Sequence, residues 1–130
     1  LLLLTTDGQL TLQLTHPRYL HEKEYRVWCV EGTVSRGVAR RFEEGLALED
    51  GPARAVAAKP VPGGIVVVLQ EGRNRQVRRM IESVEYTVER LLRTRIAGLH
   101  LGDLAPGSFR ELGEGDLDRL GHTHARAGGR

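Results

Sequence analysis

Cysteine is nearly absent from this sequence. The single residue Cys29 excludes an intramolecular disulfide and fits a reducing, cytoplasmic setting. There is no Cys/His cluster with zinc spacing and no Gly-rich nucleotide loop of either common type. Nor is there a Ser/His/Asp order with a nucleophile elbow. No apolar run reaches membrane-spanning length, and Leu1 to Leu4 is too short for a signal-peptide core and lacks a basic flank. Lysine is also scarce: of 19 basic residues only Lys23 and Lys59 are lysines, and 17 are arginines. The only methionine is Met80, and the chain starts at Leu1. The expectation is therefore that Leu1 is a cut point, or the first ordered residue of something longer.

The composition that remains is ordinary for a soluble globular protein: 130 residues, 40% hydrophobic and 28% charged, with a net charge of +2. That length suits one domain with a real core. The arginines are concentrated in Glu71 to Val84, EGRNRQVRRMIESV, where Arg73, Arg75, Arg78 and Arg79 fall within seven positions. Arginine's planar fork suits bidentate phosphate contacts. Val77, Met80, Ile81 and Val84 recur at helical spacing and define one apolar face. Arg75, Arg79 and Glu82 point away from that face, and Arg78 falls on its border. Asn74 is the expected N-cap. Arginines in a first helical turn oppose the helix dipole, and an anion bound there would relieve the conflict. The bland alternative is a solvated basic helix face.

Along the chain, Leu1 to Thr5 reads as a buried strand, stopped by Asp7-Gly8. A short helix is expected from about Gln9 to Thr15, with Leu10 and Leu14 on one face, ended by Pro17. Tyr25, Val27 and Cys29 alternate with polar neighbours as in a strand, closed by Gly32. Ser35 to Phe42 suggests a helix weakened by Gly37. Leu46 to Glu49 and Ala53 to Ala58 are expected to pair across an Asp50-Gly51 turn. Pro60, Pro62 and Gly63-Gly64 break the chain. Ile65 to Leu69 is a central-strand candidate, and Val88 to Leu101 is one or two strands divided near Gly98. Phe109 to Leu112 reads as an edge strand and Asp116 to Leu120 as a terminal helical turn. These elements predict an α+β fold, a mainly antiparallel mixed sheet with a few flanking helices. Residues 1–120 form one domain in this reading, and 121–130 a disordered polar tail.

Most single candidates for chemistry have plain explanations. His16-Pro17 reads as a turn, and His100 as a strand residue. Asp7 precedes a glycine, where aspartate is favoured for backbone reasons. Cys29 alternates in phase with Tyr25 and Val27, as a packed thiol would. Tyr25 fits core packing with its hydroxyl at the rim. The residues by themselves give an α+β domain with an arginine-rich, anion-seeking face.

Three stretches in order, LLLLTTDGQL…HPRYLHEKEYRV, LQEGRNRQVRRMIESV and LRTRIAGLHLGDLAPGSFREL, resemble a ribosomal-RNA pseudouridine synthase of the RsuA/RluB/RluE/RluF family. The likeness covers roughly residues 1–120 and points to the C-terminal part of the catalytic domain. Lys23 to Val27 matches the family's K-x-Y-x-V motif, and Asp103 to Leu112 its closing L-x-P-G-x-x-R-x-L element. The resemblance implies an isomerase that converts a uridine of folded ribosomal RNA to pseudouridine, with no cofactor or metal and no membrane. The target nucleotide is flipped into a pocket, where an aspartate nucleophile attacks the nucleoside. By position, Tyr25 is the active-site tyrosine and Arg78 the arginine that pairs with the aspartate. Lys23, Arg73, Asn74, Arg75 and Arg79 are expected to line the RNA face, mostly through phosphate.

Two departures from the family pattern stand out. Its G-R-L-D nucleophile motif belongs ahead of the leucine run and is absent, so this chain alone is expected to be inactive. Asp7 belongs to the following turn and is not that nucleophile. Glu85 stands where a glycine is usual. The competing interpretations are a non-catalytic rRNA-binding remnant and a basic domain unrelated to RNA.

Overall fold

The computed structural model describes residues 1–15, 21–73 and 75–121. The expectations for His16-Pro17, for Asn74 and for the tail beyond Gly121 lie outside the described residues. Helix α1 (Gly8–Thr15) leads into β1 (Lys23–Cys29), α2 (Arg36–Glu44), the short pair β2 (Leu46–Leu48) and β3 (Gly51–Ala53), then β4 (Ala57–Val61) and β5 (Gly64–Leu69). Helix α3 (Gln76–Ser83), β6 (Val88–Ile96), β7 (Leu99–His100) and α4 (Glu114–Arg119) complete the order. The five-stranded sheet runs β4-β5-β1-β6-β7, and β2-β3 forms a separate ribbon. Every described pairing is antiparallel, so the expected mixed character does not appear. The class is α+β, with helices packed on the sheet.

Strand β1 is central because its alternation serves two neighbours. Tyr25 lies opposite Val67 on β5 and Arg93 on β6, and Val27 lies opposite Ile65 and Leu91. Val27, Ile65, Val67 and Leu69 meet Phe42 of α2 and Val77, Met80 and Ile81 of α3 in the main core. The predicted stripe of α3 is the buried one: Val77, Met80, Ile81 and Val84 are all under 10% exposed, each contributing about 1.5–3 kcal/mol on burial. On the far side of β1, Trp28 is sandwiched between the guanidinium groups of Arg26 and Arg90, at 4.3 and 4.7 Å.

Four expectations need correction. Leu1 to Thr5 alternates, with Leu1 and Leu3 packed on the Ile96–Leu99–Leu120 cluster and Leu2 and Leu4 exposed, but it forms no strand. Its hydrogen bonds to β6 are those in which Arg93 donates to the Leu1 carbonyl (2.9 and 3.2 Å) and the Leu1 nitrogen donates to that of Arg93 (3.0 Å). The partner of β2 is Gly51–Ala53, not Ala53 to Ala58; residues 57–61 join the main sheet instead. Pro60 does not break the chain there, because β4 is an edge strand that can spare a donor. Phe109 to Leu112 is irregular. Its polar groups are spent on α4, since Arg110 and the Gly113 N–H both bond to Asp116.

Helix ends explain several boundaries. Asp7 caps α1, its Oδ1 accepting from the N–H groups of Gln9 and Leu10 at 3.0 and 3.2 Å. Ser35 caps α2 by accepting from Val38 N–H. Glu85 ends α3 with φ of 67°. The Glu85 N–H donates to Glu82 O at 3.0 Å and that of Tyr86 to Ile81 O at 3.2 Å, the double bond of a Schellman motif.

A cationic cleft beside the arginine helix

Between α1, the ends of β1 and β5, the loop 70–75 and the start of α3 lies a cleft of about 730 Å³. Its walls include Leu14, Leu69, Val77, Leu91 and Ile96, and its polar lining includes Lys23, Tyr25, Arg75, Arg78 and Arg93. Three segments converge to make it. Strand β1 turns Lys23 and Tyr25 to the face that carries the core, and Tyr25 is half-buried against that core. Arg93 faces the same side from β6, opposite Tyr25. Arg78 sits half-buried at the edge of the α3 apolar stripe, as the helical period predicts.

The loop ahead of α3 is held by unusual devices. Arg75 stands at the N-cap of α3, in the left-handed region (φ 50°, ψ 34°) and without a side-chain cap. For a residue with a Cβ this costs roughly 1–2 kcal/mol. Gln76, which is 3% exposed, ties the loop to the helix, its side chain accepting from Arg73 N–H and its own N–H donating to Arg73 O, both at 3.1 Å. Such a buried polar residue in the first turn goes unnoticed in a search for charged chemistry.

The electrostatics are one-sided. Among the described lining residues the one carboxylate is Glu71, and it pairs with Arg73 at 2.9 Å. Lys23 is held below the ordinary lysine range, first by burial and then by Arg93. His21, also in the lining, is lowered by burial and then by Lys23, with a backbone hydrogen bond acting the other way. Lys23 and Arg93, both positive and facing the same cleft, favour an anionic occupant. Cys29 lies outside the cleft, buried, with its thiol pushed up by burial and then by Glu31.

The cleft thus gathers Lys23, Tyr25, Arg73, Arg75 and Arg78, whereas Arg79 is not in its lining. The Arg79 guanidinium grips Asp50 in the β2–β3 turn through two bonds, Nη1 to Oδ1 at 2.8 Å and Nη2 to Oδ2 at 3.1 Å. Arg73 reaches the same turn, donating to Asp50 Oδ1 at 3.2 Å and to Pro52 O at 2.9 Å. Sequence reasoning treated Asp50-Gly51 only as turn chemistry and passed over Arg93 and His21. The alternation Leu91, Arg93 was a signal for Arg93, usable only once β6 is known to pair with β1. Among the described residues no helix is long and apolar enough to cross a membrane, and no group of three or more His, Cys, Asp or Glu is placed to hold a metal.

Comparison with known proteins agrees with this architecture. The chain matches a crystal structure of a pseudouridylate synthase with a TM-score of 0.82 and 28% identity, over 89% of this chain and 52% of that one. No family model matches the sequence. The chain is 41% identical over 125 residues to an uncharacterised RNA pseudouridine synthase of Mycobacterium tuberculosis, covering 92% of this chain and 49% of that protein. Fold and sequence alike make this chain similar, over about nine tenths of its own length, to part of an RNA pseudouridine synthase. It is similar also to proteins named ribosomal large subunit pseudouridine synthase B. The identity is 40% over 127 residues with that of Bacillus subtilis, covering 92% of this chain and 52% of the relative. With that of Pseudomonas aeruginosa it is 41% over 127 residues, covering 92% and 33%. The chain spans about half the length of the curated relatives it matches, or less.

Proposed function

We propose that this chain is the C-terminal part of the catalytic domain of a ribosomal-RNA pseudouridine synthase, a soluble isomerase of the cytoplasm working without metal or cofactor. The observation that carries the reading is the meeting of Tyr25 and Arg78 in one cationic cleft, in a chain about 40% identical to named synthases. A uridine flipped out of its stack enters between the apolar walls, which suit a base, while Lys23 and Arg75 hold its flanking phosphates. An aspartate from upstream of this chain attacks the nucleoside, the glycosidic bond breaks, and the uracil turns and rejoins through carbon. Arg78 keeps that aspartate ionised by pairing with it. Tyr25 packs on the uracil and serves proton transfer at C5. Tyr25 is suited to this by its place on the central strand, where both neighbours fix its backbone.

In the full-length protein, Arg78→Ala should lower turnover of ribosomal RNA by at least about 10³-fold, the scale of losing an essential electrostatic partner, while most RNA affinity remains. Turnover within a few-fold of wild type would remove Arg78 from the mechanism. Wild-type protein that binds ribosomal RNA but never forms pseudouridine would instead favour the binding-remnant reading.

A further inference from the structure

We propose that Asp50 is a positioning residue that withholds Arg79 from RNA, on a turn whose carbonyls hold Arg73, so that the β2–β3 turn decides which cations face the substrate. This rests on the reading of the cleft as an RNA site. Four arginines in seven positions would otherwise form one undivided patch. The turn divides it. Asp50 takes Arg79 through both carboxylate oxygens and Arg73 through one, while the carbonyls of Asp50, Gly51 and Pro52 receive the rest of the Arg73 fork at 3.3, 3.4 and 2.9 Å.

Each donor so occupied is lost to phosphate, and the Asp50 carboxylate offsets the charge of the guanidinium it holds. Arg75 lies between the two clamped residues in a left-handed conformation, and the hairpin adds to the Gln76–Arg73 bonds that hold its backbone. The hairpin thereby helps to fix where the Arg75 side chain leaves the loop. Arg78, one residue before Arg79, shares the same anchor. Asp50 is itself exposed at a turn, so replacing it need not unfold the domain.

The test compares full-length wild type, Asp50→Ala and Asp50→Glu. Binding of a single-stranded oligouridylate is measured across a salt series, and turnover on unmodified ribosomal RNA transcripts. In Asp50→Ala the loss of the carboxylate releases its two bonds to Arg79, while Arg73 stays on Glu71 and the turn carbonyls, so the slope of log affinity against log salt should steepen by about 0.7, the scale of one new phosphate contact. Low-salt affinity should rise, and kcat should fall about tenfold as the loop loses its geometry. Asp50→Glu keeps the charge and should restore the slope toward wild type. An unchanged slope in Asp50→Ala overturns the proposal, and a fall in kcat without a steeper slope does so too, because it marks a merely structural ion pair. Wild-type protein with no salt-dependent binding would overturn the RNA reading itself, an outcome distinct from an Asp50→Ala slope equal to a steep wild-type one.

Discussion

Arg75 and Glu85 bracket α3, and both hold a left-handed backbone conformation that favours glycine. Their reasons differ. Arg75 brings a cation to the cleft, so its strain belongs to the site. Glu85 is exposed and occupies the C′ position of a Schellman motif, where glycine is the common residue. Its carboxylate has no ion pair among the described residues. Glu85→Gly should therefore stabilise the protein by about 0.5–1 kcal/mol, the left-handed penalty less the extra freedom glycine gives the unfolded chain. Denaturant unfolding would measure it, and a loss of stability would mean that Glu85 makes a compensating contact. The sequence pattern already marked this position as anomalous. The Schellman bonds that absorb the anomaly were not legible, since they depend on the turn after α3 and not on residue type.

At the scale of elements, α4 shows how one carboxylate can organise a segment. Asp116 caps the helix through Gly113 N–H at 2.9 Å and takes Arg110 at 2.9 and 3.2 Å and Arg119 at 3.2 Å. The helix then docks on the β6–β7 turn, where Gly98 N–H donates to Arg119 O at 2.8 Å. A Cβ at Gly98 would sit 2.8 Å from that oxygen, so the docking requires glycine. Arg110, followed by the Gly113 N–H, holds the Asp116 carboxyl at about 2, below its ordinary value. A depressed folded-state pKa contributes stability that is full above the unfolded value, about 3.9. That contribution is lost as pH falls toward 2. The protection of the α4 amides, taken relative to their intrinsic exchange rates, should therefore hold at pH 5 and fall between about pH 4 and pH 2, and Asp116→Asn should remove most of that step. An α4 equally protected at both ends of the window would show that Asp116 does not hold it. The helical turn itself was legible from its pattern. The edge strand expected at Phe109 to Leu112 was not found, because Arg110 is drawn to Asp116 of α4 and the stretch has no β-branched residue to favour extension.

For the whole molecule, a net charge of +2 cannot by itself attract RNA strongly. The field must come from placement. Periodicity located the helix, strand β1 and the border position of Arg78, because each is a local property of spacing, whereas the central place expected for Ile65 to Leu69 belongs to β1. It could not distribute the arginines between cleft and hairpin, because that depends on where β2–β3 packs against α3. Lys23 tests the local field. Burial and Arg93 lower its pKa, so it gives up its proton at a lower pH than an exposed lysine. In the free protein the neutral form is favoured by the fold, so this group adds stability as pH rises through its lowered value. RNA has the opposite effect, since a bound phosphate favours the charged form and binding draws a proton back. Affinity should thus fall with rising pH before the ordinary lysine range is reached, while stability does not. Lys23→Arg, which keeps its charge throughout, should flatten the affinity profile at similar strength near pH 7. Binding isotherms of the full-length protein and the variant across the alkaline range would measure this, and parallel profiles would mean that Lys23 does not meet the RNA.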